Sequence, residues 1–348
     1  MTHLHILYQH DYDKKPYGCS VIRLLQPLGY HKRASPYQVS KGTSAPKSGT
    51  DIAIIERLWR PGTHPKSAQA LITQLREQGA RIIYTLDDDL LALDLPPMSK
   101  NAIRLFAREA DGVVVSTEPL AERMRALNPN TAVLHNQIDD KLFGPSREPK
   151  AASDTVVMGY MGTPTHLHDL LDILGPLRRV LKRHAGRLRL ELVGVSDQRD
   201  VLNLFDGLPV TMLPPDGHVA YSDFIRWMKQ NLHWDFAIAP LRDTRFNQCK
   251  SDLKYLDYGA LSIPGIFSAV PPYRDTIQPG VNGLLAGSDT EWEACLDKMS
   301  NDASLRQRVA LAARDHVYAE RTLKTHAMDW HACIERIISE AIPGAKAT

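Results

Sequence analysis

Lys250, Lys254 and Asp257 are spaced four and then three residues apart, which places them on one stripe of any helix that contains them. The surrounding residues predict that helix. Ser251 or Asp252 can cap its free N–H groups, and Ile263, preceding Pro264, is pushed out of the helical region and ends it. Leu253, Leu256 and Ala260 recur at helical spacing as the face to bury. The chemistry such a stripe offers is anion binding. The partial positive charge of a helix N-terminus suits a diphosphate, Lys250 adds a full charge there, and a carboxylate two turns further in can accept hydrogen bonds from a ribose diol. The same stripe also reads as a solvated face with a Lys254–Asp257 ion pair. Spacing alone leaves both readings open.

The wider segment carries more information. Asp257-Tyr-Gly-Ala-Leu-Ser-Ile-Pro-Gly-Ile266, followed by Pro279-Gly-Val-Asn-Gly-Leu-Leu285, resembles the donor-binding segment of GT-B glycosyltransferases, in particular the large family-four group. There a glutamate, seven residues, and Glu-Ala-Met-Ala-x-Gly-x-Pro precede a strand and a Gly-x-x-Gly-Leu-Leu stretch. The family's second glutamate, which holds the donor ribose, falls on Asp257; its first, which touches the sugar, falls on Cys249. Cysteine cannot take over a carboxylate's hydrogen bonds to sugar hydroxyls. The Lys-Ser-x-x-Lys form of residues 250–254 is similar to a polysaccharide-building branch of these enzymes.

The resemblance implies an α/β protein of GT-B type: two Rossmann-like α/β/α domains facing a cleft, residues 1–146 on the acceptor side and 147–322 on the nucleotide-sugar side, with a C-terminal helix, 323–348, crossing back to the first. It implies transfer of a sugar from a nucleotide diphosphate sugar to a hydroxyl of a glycan or lipid-linked acceptor, as in bacterial surface polysaccharide synthesis. Gly162, Thr163, His166, Lys250, Ser251, Asp252, Lys254 and Asp257 would bind the donor. Asp88 and Lys250 would act in catalysis, and Tyr17, Gly18 and Arg23 would line the acceptor side. With lysines and a helix N-terminus neutralising the leaving diphosphate, neither a metal nor a cofactor is expected.

The elements that must position these residues are legible as two successive α/β halves. Residues 5–8, 51–56, 81–86 and 111–117 are apolar strands of the first half; 155–162, 187–194, 210–215 and 236–241 are those of the second. Helical patterns cover residues 16–28, 65–78 and 119–127, then 221–229, 289–299, 304–317 and 323–338. Residues 31–50, rich in Lys, Ser, Pro and Gly, read as a loop. Ligands of parallel sheets bind at the carboxyl ends of strands. Arg57 and Arg60 lie there, as does the run Asp87-Asp88-Asp89. That run reads as a loop or helix cap, as the metal-binding Asp-x-Asp of GT-A enzymes, or as the cleft-facing polar residue of a GT-B first domain, for which Asp88 is the choice. The turn Gly162–Asp169 lets backbone approach a phosphate, and His166 can add a proton-dependent charge.

Composition sets the outer bounds. The 348 residues suffice for two cores, and 43% hydrophobic with 24% charged residues describes an ordinary globular protein. A net charge of +2 is too mild to predict nucleic-acid binding. Cys19, Cys249, Cys295 and Cys333 form no close pair, which argues against a zinc site or disulfide framework and fits a reducing cytoplasm. The first residues lack the pattern of a secretory signal and no apolar run spans a bilayer, so any membrane contact would be peripheral. Two rival functions share the fold. One is a nicotinamide-dependent dehydrogenase, although no Gly-x-Gly-x-x-Gly follows any strand. The other is a glycosyltransferase-like protein that binds or scaffolds without transferring, which the cysteine at position 249 favours.

Overall fold

The computed structural model describes residues 1–145, 148–151, 153–195, 203–215, 217 and 220–340. The chain divides into two compact units. The first comprises Met1–Asp139, the tripeptide Cys249–Ser251 and the chain from Leu323; the second comprises Asp140–Gln248 and Asp252–Thr322.

The first unit is built on a six-stranded parallel sheet in the order β2-β1-β3-β4-β5-β6. Its strands are β1 (Thr2–Leu7), β2 (Tyr37–Gly42), β3 (Ile52–Glu56), β4 (Arg81–Leu86), β5 (Gly112–Val115) and β6 (Thr131–Val133). Side chains alternate across it, as the period of a strand requires. Leu4, Ile6, Ile52, Ile54, Ile83 and Val114 face one core, while Leu7, Ala53, Ile55, Ile82, Tyr84, Leu86, Val113 and Val115 face the other. Helix α1, residues 18–30, covers the first face with Leu24 and Leu28. Helices α2 (Pro65–Glu77), α3 (Pro97–Glu109) and α4 (Glu118–Arg125) cover the second.

The loop expected at residues 31–50 is corrected here: Tyr37–Gly42 forms the edge strand β2, paired in parallel register with Thr2–Leu7. An edge strand buries little, and Tyr-Gln-Val-Ser-Lys-Gly has no apolar period to betray it. The helix expected from residue 16 begins at Gly18 and passes through a π turn, Val21–Leu25. The C-terminal helical pattern resolves into a turn, Leu323–His326, and a helix, Asp329–Glu340. From that helix Trp330, Cys333, Ile334 and Ile337 complete the core over Leu4 and Ile54.

The second unit repeats the plan with a parallel sheet in the order β12-β11-β10-β7-β8-β9. Here β7 is Val156–Met161, β8 Leu188–Val193, β9 Val210–Leu213, β10 Phe236–Ala239, β11 Gly265–Ser268 and β12 Leu284–Ala286. Helices α5 (Leu167–Asp172), α6 (Leu174–Arg183), α7 (Tyr221–Asn231), α8 (Leu253–Ala260), α9 (Asp289–Asn301) and α10 (Ala303–Glu320) flank it. Two glycines are demanded by close approach. A Cβ on Gly159 of β7 would lie 1.8 Å from the Trp234 ring, and one on Gly259 of α8 would lie 2.7 Å from Val317 of α10. Helix α8 ends in a Schellman pattern, the Ile263 amide donating to the Tyr258 carbonyl at 2.9 Å, with Ser262 at φ 56° in the left-handed place that glycine usually fills.

Candidate active site

Strand order alone marks one place on each sheet. Where neighbouring strands depart in opposite directions along the sheet, the crevice at their carboxyl ends is left open for a ligand. In the second unit that switch point lies between β7 and β10. Gly162, Thr163 and His166 follow β7, and Arg242 follows β10. The Gly162 amide donates to Val193 O at 3.0 Å, and a Cβ on Gly194 would lie 2.7 Å from the Gly162 carbonyl, so the turns after β7 and β8 are pressed together. His166 Nδ1 lies 2.7 Å from the Asp169 carboxylate. That carboxylate also accepts from the Arg242 amide at 2.9 Å, with Asn247 Nδ2 3.4 Å away. Burial pushes the Asp169 carboxyl up, but these donors and the charges of His166 and Lys254 hold it below its ordinary range. His166 is thus fixed by a buried carboxylate at the mouth of the switch point. Asp169, Arg242 and Asn247 were not singled out from sequence; a lone aspartate in a helical turn gives no sign that it serves three partners.

Lys254 and Asp257 project from α8 within the same unit. The Lys254 ammonium stands 4.8 Å from the centroid of the Tyr160 ring, a cation–π arrangement. Asp257 is not on a solvated face: it is 6% exposed, and among the described residues its Oδ1 has no hydrogen-bond partner. Desolvation raises its carboxyl to about 7 against the relieving charge of Lys254. A buried carboxylate oxygen without a donor costs free energy. The expectation that Ser251 or Asp252 caps α8 through its side chain is corrected. Asp252 occupies the cap position without making the bond. Its carboxylate is instead taken by Arg321, at 2.7 and 3.0 Å, and by Thr276 Oγ1 at 2.8 Å, a bidentate clamp that leaves it structural rather than donor-facing.

In the first unit the switch point lies between β1 and β3. Glu56 closes the apolar run of β3 there, 2% exposed. It accepts from Ser20 Oγ at 2.5 Å and from the Gln9 amide at 2.7 Å. Burial raises its carboxyl to about 7 despite those bonds. A charged residue ending an otherwise apolar strand was the available signal, and it was passed over for its neighbour Arg57. Arg57 takes a left-handed backbone, φ 50°, and its guanidinium meets Asp87 at 2.7 Å and Asp88 at 3.2 Å. Asp89 is buried and paired with Arg123, so of the three aspartates it is the one withdrawn from any ligand.

The tripeptide Cys249–Ser251 belongs to this unit. Cys249 is fully buried among Leu86, Leu90 and their neighbours, and Thr117 Oγ1 donates to its carbonyl at 2.8 Å. Lys250 reaches Asp88 at 3.4 Å, and Ser251 Oγ accepts from Asn136 Nδ2 at 2.8 Å. The two residues read from sequence as catalytic are therefore brought together, and Lys250 stands against the first unit's aspartates. Tyr17 is 38% exposed at the head of α1, next to Gly18. Arg23 is 3% exposed, its guanidinium donating to Leu134 O and, at 3.2 Å, to Asn136 Oδ1. Among the described residues no three His, Cys, Asp or Glu side chains gather so as to hold a metal ion.

No family model matches the chain. It is 27% identical over 248 residues to the D-inositol 3-phosphate glycosyltransferase of Stackebrandtia nassauensis, a match covering 64% of this chain and 53% of that protein. The chain thus spans about half the length of this curated relative. Among solved structures, sucrose-phosphate synthase from Thermosynechococcus elongatus aligns over 97% of this chain and 100% of its own, with a TM-score of 0.69 at 13% identity. HepE of Anabaena, in complex with UDP-glucose, aligns over 97% and 100% with a TM-score of 0.66 at 14% identity. At these identities the likeness is one of fold: two parallel α/β units of GT-B type.

Proposed function

We propose that this GT-B chain transfers a sugar from a nucleotide diphosphate sugar to a hydroxyl of a glycan or lipid-linked acceptor. The observation that carries the reading is Asp257. Its Oδ1 is buried and without a donor among the described residues, near the charge of Lys254; in the resembling motif Asp257 matches the family-four glutamate that holds the donor ribose, and a ribose diol supplies the missing donors. Lys254, Thr163 and the turn after β7 serve the diphosphate, and His166, oriented by Asp169, donates a hydrogen bond or a charge to it.

In the reaction the bond between the anomeric carbon and the diphosphate oxygen breaks with its electron pair leaving on the diphosphate. A new bond forms from the acceptor oxygen to that carbon, and the acceptor proton is released. Lys250 stabilises the departing charge. Such interactions strengthen in the transition state and accelerate the step. Asp88, fixed by Arg57 and Lys250, accepts hydrogen bonds from sugar hydroxyls. A hexose or deoxyhexose donor, independence of metal ions and a cytoplasmic setting at the inner face of a membrane complete the reading. Among the described residues no helix is long and apolar enough to cross a membrane.

The burial of Cys249 favours a second reading, in which nucleotide is bound but no sugar moved. Calorimetric titration with a panel of nucleoside diphosphates, followed by assay of donor hydrolysis and transfer, separates the two. Binding with turnover supports the enzyme, binding without it supports the binder, and absence of any nucleotide binding overturns both.

A further inference from the structure

The stretch 279–285 has no part in the proposed transfer, yet its Asn282 is buried against α8. The partners of Asn282 fix its orientation. The Gln278 amide donates to Oδ1 at 2.7 Å, while Nδ2 donates to the Thr276 carbonyl at 3.1 Å and to the Tyr255 hydroxyl oxygen at 3.0 Å. An amide nitrogen carries two hydrogens, and both are thereby used. Tyr255, on α8 and 1% exposed, accepts from Asn282 and has its own single proton to give. That proton goes to His316 Nδ1 on α10, 2.7 Å away. Burial pushes the Tyr255 hydroxyl above its usual range, so it stays protonated.

The direction of these bonds settles the state of His316. Its Nδ1 must be bare, which leaves the ring neutral with its hydrogen on Nε2. A second route joins the same three elements: Thr276 Oγ1 and the Arg321 guanidinium, one residue past α10, both hold Asp252 at the head of α8. Helix α8 is thus clasped at Asp252 and Tyr255, and Lys254 between them is left to face the Tyr160 ring.

A proton on Nδ1 reverses the last link. The ring N–H and the phenol O–H then point at each other, and among the described residues no other acceptor is placed for the phenol proton. The charged and titratable groups that bear on the ring are Asp252 and Tyr255 from α8 and Glu320 and Arg321 from the end of α10; residues 276–282 are neutral. Burial and Arg321 push the His316 pKa down, with Asp252 and Glu320 opposing. The clasp is therefore whole at neutral pH and lost as the solution is acidified below the ordinary histidine value.

We propose that His316 is a positioning residue of the donor site: as a neutral acceptor for Tyr255 it holds α8, and with it Lys254 and Asp257, in place, and its protonation releases them. The effect on nucleotide binding rests on the donor-binding reading above, whereas the hold on α8 does not.

The experiment uses the full chain and three variants. His316→Asn puts an oxygen where Nδ1 stands, at similar helix propensity, and accepts without titrating. His316→Leu and Tyr255→Phe each remove the bond, and Tyr255→Phe keeps the test decisive if His316→Leu fails to fold. Protection of the amides of residues 257–261 against hydrogen exchange and calorimetric titration with UDP, GDP and ADP are read at pH 7.5 and 5.5. At pH 7.5 His316→Asn should match wild type, while His316→Leu and Tyr255→Phe should lose protection and bind nucleotide about 3- to 10-fold more weakly. At pH 5.5 wild type should lose protection by a similar factor relative to His316→Asn. Asp257 titrates in both proteins, so the difference isolates the histidine. Equal protection in all four proteins, a loss in His316→Asn as large as in His316→Leu, or lost protection with undiminished nucleotide affinity would overturn the proposal. A wild type that binds none of the nucleotides would instead refute the donor-binding reading, and the exchange data would then decide alone whether His316 holds α8.

Discussion

The Lys250 ammonium lies 3.4 Å from the Asp88 carboxylate although 162 residues separate them in sequence. The same carboxylate is held by Arg57 at 3.2 Å. All three side chains are only 16 to 20% exposed, so their interaction is less screened than that of a surface pair. Lys250→Ala and Asp88→Asn should therefore be coupled. In a double-mutant cycle read by denaturant unfolding, the double variant should lose less than the sum of the singles by about 0.5 to 1.5 kcal/mol. Strict additivity would show that the contact carries no energy.

The stability of the protein should fall as the solution is taken from about pH 4 to about pH 7. Asp257 is raised from 3.8 to about 7 and Glu56 from 4.5 to about 7. In that window the folded state holds protons that the unfolded state has released. The slope of unfolding free energy with pH is then negative, and the contribution, complete below the unfolded values, is lost by the time the folded values are passed. Asp257→Asn removes its own share, at most about 4 kcal/mol. The variant should accordingly be more stable than wild type at pH 8 and flatter with pH. Thermal unfolding of both proteins across pH 4 to 8 measures this.

Removing the same carboxylate should cost function. If Asp257 accepts from a ribose diol, Asp257→Ala should weaken nucleoside diphosphate binding by about 10- to 150-fold, the loss of hydrogen bonds to a charged acceptor. More stability with less binding is the usual signature of a destabilised site. An unchanged dissociation constant by calorimetry would remove Asp257 from the donor site.

Gly259 tests how much of the Asp-Tyr-Gly-Ala motif is architecture. Alanine would improve helix propensity by about 1 kcal/mol, yet its Cβ would lie 2.7 Å from Val317 and 3.2 Å from the Ala313 carbonyl. Backbone cannot yield as a side-chain tip can, so overpacking should win and Gly259→Ala should destabilise by about 1 to 3 kcal/mol. Chemical denaturation with circular dichroism reads the sign directly.

What the sequence made legible follows from what periodicity encodes. Buried parallel strands such as Ile52–Glu56 are continuous apolar runs bounded by turn residues, and both sheets emerge from them. Strand β2 does not, because an edge strand need not be apolar. At the site, spacing placed Lys254 and Asp257 on one stripe, but spacing reports a face and not its depth. Only packing makes Asp257 a buried carboxylate. Nor does spacing report which unit a residue joins: Cys249 and Lys250 precede α8 in sequence yet pack with the first unit. Glu56 and Asp169 escaped because a single acid carries no period at all.

The two lysines of the stripe should prove unequal. Lys254 faces the Tyr160 ring in the second unit, and its charge bears on both Asp169 and Asp257. Lys254→Ala should raise the donor KM with little change in kcat, as expected when binding is lost equally from ground and transition states. It should also push the Asp257 carboxyl further up, since the lysine is what restrains it, moving the pH at which nucleotide affinity reaches its plateau above about 7. Lys250 stands instead on Asp88. Lys250→Ala should lower kcat more than it raises KM, because a charge that strengthens its hold as the diphosphate departs acts on the chemical step. Steady-state kinetics of both variants in excess chelator examines metal independence in the same experiment. Activity abolished by chelator and restored by magnesium or manganese would reassign the departing charge to a metal ion, while two variants close to wild type would return the stripe to the surface.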